Sequence, residues 1–347
     1  MNKIRENRAK FLAGQIKVIP CTIERFNKKF HGIRKGDYIC FTGGTSSGKT
    51  TITKKMAVFD AIEYAIEKQW DLKILYFGLE ETKEEFEYSV KSYLLRKLHN
   101  LRYNILDFEF ITGDMPEEDL DKTDEIEPIF QQWMSYVNYY DNVYNPYGIY
   151  SKIKEFAESR GKFTKSNPDH SHWDTYEPDN PEEFILAVVD HIGLLTTEEK
   201  HLNKIDAAMK DMSFYLRQYV SKKFNYTAIS VQQQMAENEN LEHIQAGRWM
   251  PTLNGFGENK RVARDYLTVI GIGNPKRYGV KSFGNYNGLI EYDGFLRFLV
   301  VLKQRYGECD DIIGIMFDGK CNWIKEAPNP TDTLALNNVK NYINSLK

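Results

Sequence analysis

The sequence predicts an α/β fold, with one mostly parallel central sheet flanked by helices. Three observations carry this. Strand-like and helix-like segments alternate along most of the 347 residues. The run Phe-Ile-Leu-Ala-Val-Val-Asp at 184–190 is apolar on both parities, as a central strand covered on both faces must be. A glycine-rich turn stands between the strand-like run 37–41 and a helical stretch over 49–68. An α/β chain of this length can be one domain, and hydrophobic residues at 41% supply enough apolar surface for its core.

The elements follow in order. Residues 1–20 are basic, then mildly apolar, enough for one short helix serving as an arm or linker. After 37–41 and 49–68 comes a strand over 73–77, ending in Gly78-Leu79-Glu80-Glu81, and a charged helix beginning near Thr82. The pattern loosens over 99–181, where strand-like 108–112 and 137–140 are separated by an acidic stretch at 117–127 and followed by a polar stretch at 165–180; this predicts an enlarged insertion. Beyond 184–190, a helix over 203–224 and strands at 226–231, 266–272, 295–302 and 312–317 complete the series. The main domain is thus expected over 21–326, with a C-terminal tail at 327–347.

A formal charge of -3 leaves no general basic footprint, so contact with nucleic acid requires a local patch or a channel formed by assembly. Cys21, Cys40, Cys309 and Cys321 form no CxxC pair, which points to reduced thiols rather than disulfides or zinc. No run of about eighteen apolar residues and no apolar signal core near Met1 is present, so neither membrane insertion nor export is expected.

The chemistry concentrates at strand ends. Gly43, Gly48, Lys49 and Thr50 meet the pattern GxxxxGK[ST] between a strand and a helix. Glycines let successive backbone N–H groups of Gly43, Gly44, Thr45, Ser46, Ser47 and Gly48 face phosphate oxygens. Lys49 supplies a cation, Thr50 a hydroxyl for Mg²⁺, and Thr51 continues the helix start. Asp190, closing the apolar run, suits the water shell of that metal. Glu80 is the candidate to polarise water for attack on a terminal phosphate, with Glu81 its competitor.

With these residues placed, the chain resembles the C-terminal RecA-like motor domain of DnaB-like replicative helicases over roughly 19–324. Ile33-Arg34-Lys35-Gly36-Asp37 and the glycine loop resemble the family's entry to its P-loop. Phe77-Gly78-Leu79-Glu80-Glu81 resembles its Ser-Leu-Glu-Met motif, which favours Glu80 over Glu81 as the catalytic glutamate. Val189-Asp190-His191-Ile192 resembles Ile-Asp-Tyr-Leu, and Ile229-Ser230-Val231-Gln232 resembles the strand ending in Ser-Gln. The latter implies Gln232 as γ-phosphate sensor, with Gln233 and Gln234 as rivals. The segment from Pro251 to Asp265 is similar to the family's DNA loop; its arginine falls on Gly257, while Glu258 is kept and Lys260 and Arg261 follow as candidates for backbone phosphate. Leu302-Lys303-Gln304-Arg305-Tyr306-Gly307 resembles Lys-Gln-Arg-Asn-Gly, whose Lys and Arg reach a nucleotide bound by the neighbouring subunit.

The resemblance implies an ATP hydrolase using ATP and Mg²⁺, single-stranded DNA as partner, and a homo-oligomer, a six-membered ring, with sites between subunits. A primase or loader is a further implied partner. Where bacterial replicative helicases carry a collar domain, residues 1–20 stand as an arm able to dock on an adjacent subunit. A single-domain motor of this kind suits a phage, hence a cytoplasmic location in the host. The motifs also suit a RecA-type recombinase or loader that binds DNA without unwinding, or an ATP-dependent assembly protein acting on a protein partner.

Overall fold

The computed structural model describes residues 2–165, 173, 175–235, 242, 244 and 249–346, with backbone alone over 258–261. Helix α1 (Lys3–Leu12) has its first turn capped by Asn2 and buries no residue. A nine-stranded sheet forms the centre, from β1 (Tyr38–Gly43), β2 (Leu72–Gly78), β3 (Val137–Tyr140), β4 (Phe184–Asp190), β5 (Thr227–Gln233), β6 (Thr268–Gly273), β7 (Leu296–Gln304), β8 (Ile312–Asp318) and β9 (Trp323–Glu326). Their order is β9-β8-β7-β6-β1-β5-β4-β2-β3. All pairings from β6 to β3 are parallel, and those among β6, β7, β8 and β9 are antiparallel. The expected mostly parallel sheet is present, and the carboxyl ends of β1, β5, β4 and β2 share one edge, where ligands of such sheets bind.

Side chains alternate between two cores because a strand repeats every two residues. Phe41, Tyr76, Val188 and Val231 face α2 (49–68), α3 (Lys83–His99) and α4 (Glu117–Met134). Cys40, Phe77, Val189 and Ala228 face α5 (Pro146–Glu158) and α6 (205–221) on the other side. α2 is a continuous run with one π-helical turn at Lys55–Phe59. The short helix α7 (Lys260–Asp265) precedes β6. A third core joins Phe298 of β7 and Met316 of β8 to α8 (Thr333–Ser345), which buries Ile343; the expected tail therefore carries a docked helix. Among the described residues no helix is long and apolar enough to cross a membrane.

The insertion departs from its sequence reading. Residues 108–112 form no strand; a helical turn, Ile105–Phe108, is closed by reciprocal hydrogen bonds between Asn104 and Asp107. Phe110 and Ile111 then point outward, 52% and 66% exposed, because β3 already occupies the sheet edge beside β2. The acidic stretch 117–127 opens α4, whose Ile126, Phe130 and Trp133 pack into the core. Three of its acids, Glu117, Glu118 and Asp119, occupy the first turn, where the helix dipole favours them. Of the polar stretch, 166–172 and 174 lie outside the described residues, and 175–178 pair with 161–164 as a small hairpin.

Candidate functional site

β1 delivers the glycine loop. A Cβ on Gly43 would stand 2.4 Å from Ser47 Oγ and 2.5 Å from the Ile272 carbonyl oxygen of β6. Gly48 has φ +96°, and a Cβ there would stand 2.5 Å from the Phe317 ring. Glycine is thus required at both positions, by close approach and, at Gly48, by the left-handed backbone. Lys49, 8% exposed, folds back to donate to the Gly44 carbonyl at 2.9 Å. The Ser47 hydroxyl is buried without a partner, a polar atom left for a ligand.

Sequence reasoning passed over the outer support of this loop. Arg297 of β7 lies over the Phe317 ring at 3.5 Å and donates to the carbonyls of Ser46, at 3.3 Å, and Ser47. Burial pushes its guanidinium down to about 9, still charged at neutral pH. Asn274, just past β6, donates to the same Ser46 carbonyl at 3.3 Å. These contacts hold carbonyls on the outside of the loop. The available signal was one arginine inside the apolar run Leu296–Gln304, a charge that needs a partner once buried.

β2 and β4 pair with Gly78 opposite Asp190, so the glutamates and the aspartate emerge side by side. Asp190 accepts from Thr50 Oγ1 at 3.2 Å and from the Tyr76 hydroxyl at 2.8 Å. Its pKa rises to about 6, first because burial disfavours the charge and next because Glu81 is near; Tyr76, Lys54 and Thr50 pull the other way. The Thr50–Asp190 pair fits a magnesium ion, which keeps several waters and takes few protein ligands. Among the described residues no group of three or more His, Cys, Asp or Glu is placed to hold a metal ion, so phosphate and water would complete such a shell.

The adjacent glutamates differ. Glu80 is 64% exposed in its side chain, with His191 Nε2 4.0 Å away as its one ionic neighbour among the described residues. Glu81 is 17% exposed and bound to the buried Lys54 at 2.7 Å, while Lys54 also donates to Ser89 at 2.9 Å. Its other carboxylate oxygen is buried without a partner.

β5 separates the three glutamines by face. Gln232 is on the side away from α2 and accepts from Tyr266 at 3.3 Å. The loop contact falls to Gln233, which donates to Thr45 Oγ1 at 2.8 Å. Gln234 donates to Thr42 of β1 at 2.9 Å and accepts from the backbone N–H of Thr252 at 3.2 Å, joining the phosphate strand to the start of the 251–265 segment.

Lys303 and Arg305 lie at the other end of the sheet. Gln304 pairs with Thr268, and Thr268 with Ile39, so they flank the start of β1, roughly 13 Å from Gly43 along the strand. Lys303 donates to the Ala263 and Arg264 carbonyls of α7, each at 2.9 Å, and burial lowers its pKa. Arg305 is exposed, 5.5 Å from the Tyr306 ring. The backbone places Glu258 in the turn Leu253–Asn259 and Lys260 and Arg261 at the start of α7; their side chains lie outside the described residues.

The raised pKa of Asp190 links the site to stability. Because its folded pKa lies above the unfolded value of 3.8, stability is lost as pH rises from there to about 6, and above that the full cost of burying the charge remains. Asp190→Asn is therefore expected to suppress ATP hydrolysis while raising Tm at pH 8, without nucleotide, by a few degrees. A Tm several degrees below wild type in thermal denaturation would contradict this.

The fold is that of RecA-like ATPase domains. It superimposes on a solved structure described as an ATPase domain with a TM-score of 0.68 at 14% identity, covering 94% of this chain and 98% of that one. On a DnaB-like replicative helicase, solved to show its interactions with primase, the TM-score is 0.66 at 14% identity, covering 89% of this chain and 63% of that one. No family model matches the sequence. No curated protein matches it either.

Proposed function

We propose that this chain is the motor of an ATP-dependent DNA helicase of the DnaB-like type, working as a ring on single-stranded DNA. The observation that carries this is the separation of the site's two halves. The phosphate loop, Thr50, Asp190 and Glu80 meet at the carboxyl ends of the parallel strands, whereas exposed Arg305 stands at the opposite end, away from that loop. A second copy supplies the partner for each half, and closed rings are a common outcome of such head-to-tail contacts. The likeness to the solved ATPase domain, nearly complete over both chains, supports the same reading.

In this account the backbone of 43–50 cradles the phosphates and Lys49 leaves the Gly44 carbonyl for them. Thr50 and Asp190 would hold Mg²⁺, which neutralises phosphate charge. Glu80 orients water and accepts its proton as the oxygen bonds to the γ-phosphorus and the bond to the bridging oxygen breaks, leaving ADP and phosphate. Arg305 of the neighbour meets the charge that develops on the transferred group. Gln233, bonded to the loop at Thr45, and Gln234, bonded to Thr252, then carry the change to the 251–265 segment, where Lys260 and Arg261 hold DNA phosphates. Lys303, bonded to the end of α7, ties that segment to the strand that Arg305 follows. Primase, named with the solved DnaB-like helicase, is a candidate partner.

Strand displacement on a forked duplex tests the reading. The expected result is ATP-dependent unwinding that Lys49→Ala abolishes. Hydrolysis with single-strand binding but no displacement would assign the chain to recombinases or loaders. DNA-independent hydrolysis without single-strand binding would assign it to assembly proteins.

A further inference from the structure

Glu80 is the acid on which the hydrolytic reading depends, yet little of its own surroundings holds it. Its side chain is 64% exposed, and among the described residues its one ionic neighbour is His191, with Nε2 4.0 Å from Glu80 Oε2. A carboxylate that must aim one oxygen at a water molecule works best with its other oxygen fixed.

The imidazole is the fixed member of this pair. Gly78 lies opposite Asp190, and the Leu79 N–H donates to the Asp190 carbonyl at 2.7 Å, so Glu80 and His191 leave the sheet together just beyond that bond. His191 stands between two buried residues, Asp190 and Ile192. Its Nδ1 accepts from the Gly193 N–H at 3.1 Å, and the Leu194 N–H donates to its carbonyl at 3.0 Å. A Cβ on Gly193 would stand 3.0 Å from ring atoms Nδ1 and Cε1, so glycine there leaves room for the ring. An Nδ1 that accepts a backbone N–H carries no proton. The ring is then neutral, with its N–H at Nε2, the atom that faces Glu80.

We propose that His191 is a positioning residue for Glu80: its Nε2–H donates to Glu80 Oε2 and leaves Oε1 to take the proton of the attacking water. The proposal rests on Glu80 as the base and deepens that reading. The separation of 4.0 Å exceeds a hydrogen bond by roughly 1 Å, which rotation of the exposed Glu80 side chain closes. Catalytic hydrogen bonds of this kind tighten around bound substrate. A donor at this place also favours the ionised carboxylate, which the negative charge of a nearby triphosphate opposes. The imidazole keeps its own proton throughout. The motif that this segment resembles carries tyrosine here, so the histidine is particular to this chain.

Two substitutions separate positioning from a merely structural role. His191→Asn keeps an oxygen to accept the Gly193 N–H but ends short of Glu80, whereas His191→Gln extends an amide N–H to the place of Nε2. Single-turnover hydrolysis, with ATP affinity and Tm measured in parallel, tests the difference. His191→Asn is expected to slow the chemical step by about tenfold to a hundredfold, with ATP affinity and Tm unchanged, and His191→Gln to recover most of the rate. In a Glu80→Gln background His191→Asn should slow nothing further, because the carboxylate that His191 aims is gone. Equal rates for the two His191 variants, or an equal loss from His191→Asn with and without the Glu80 carboxylate, would overturn the proposal and leave Glu80 as the base. Hydrolysis by Glu80→Gln at the wild-type rate would remove the base, and this positioning with it.

Discussion

Arg305→Ala is expected to slow ATP hydrolysis by on the order of 10³-fold or more, the range for an arginine supplied to a phosphoryl-transfer site from a neighbour. Tm should stay within a degree or two of wild type. Arg305 is exposed, and its described ring contact, with Tyr306, is a surface one, so truncation removes little folded-state energy. ATP affinity of the isolated subunit should also hold, because the residue is at the far end of the sheet from Gly43. Lysine at this position should restore little, since a point charge lacks the planar fork that spans two phosphate oxygens. Steady-state hydrolysis, nucleotide binding and thermal denaturation of the two variants separate these effects.

Glu80→Gln and Glu81→Gln should fail in opposite ways. Loss of the carboxylate at Glu80 removes the group that receives the water's proton, and hydrolysis is expected to fall by about 10² to 10⁴-fold with stability unchanged. At Glu81 the neutral amide leaves Lys54, 3% exposed in its side chain, as a buried cation without its counter-charge. Breaking one half of such a pair costs about 3 to 5 kcal/mol in fully buried settings, and the partial exposure of Glu81 places this case toward the lower end. The expected signature is a clear drop in Tm, with hydrolysis of the folded fraction reduced less than in Glu80→Gln. If Glu81→Gln abolished hydrolysis at unchanged Tm while Glu80→Gln remained active, the two assignments would be exchanged.

The strands and the phosphate loop were readable in the sequence because their signals are local. A strand buried on both faces must be apolar on both parities, as 184–190 is, and a loop that cradles phosphate needs glycine where Gly43 and Gly48 stand. Strand order was not readable: β4 lies between β5 and β2, a long-range arrangement that no local pattern encodes. Gln232, Gln233 and Gln234 show the same limit at the scale of one residue. Which glutamine meets the loop depends on the register of β5 against β1, and a shift of one residue exchanges the faces. Residues 108–112 carry apolar and β-branched side chains that suit a strand, but Asn104 and Asp107 nucleate a turn just before them, and the place beside β2 is taken by β3. Arg297 was hidden for another reason. Its partners are backbone carbonyls of a loop some 250 positions away in the chain, and carbonyls leave no mark on a sequence.

If one hydrolytic site is built from two copies of this chain, Lys49 comes from one and Arg305 from the next. Mixing Lys49→Ala protein with Arg305→Ala protein, in the presence of single-stranded oligonucleotide, tests this directly. Each variant alone is expected to be nearly inactive. In the mixture, an Arg305→Ala subunit keeps an intact phosphate loop, and a Lys49→Ala neighbour supplies an intact Arg305, so hydrolysis should reappear as the two assemble. A mixture no more active than the sum of its parts, or Arg305→Ala protein hydrolysing ATP at the wild-type rate, would contradict the shared site.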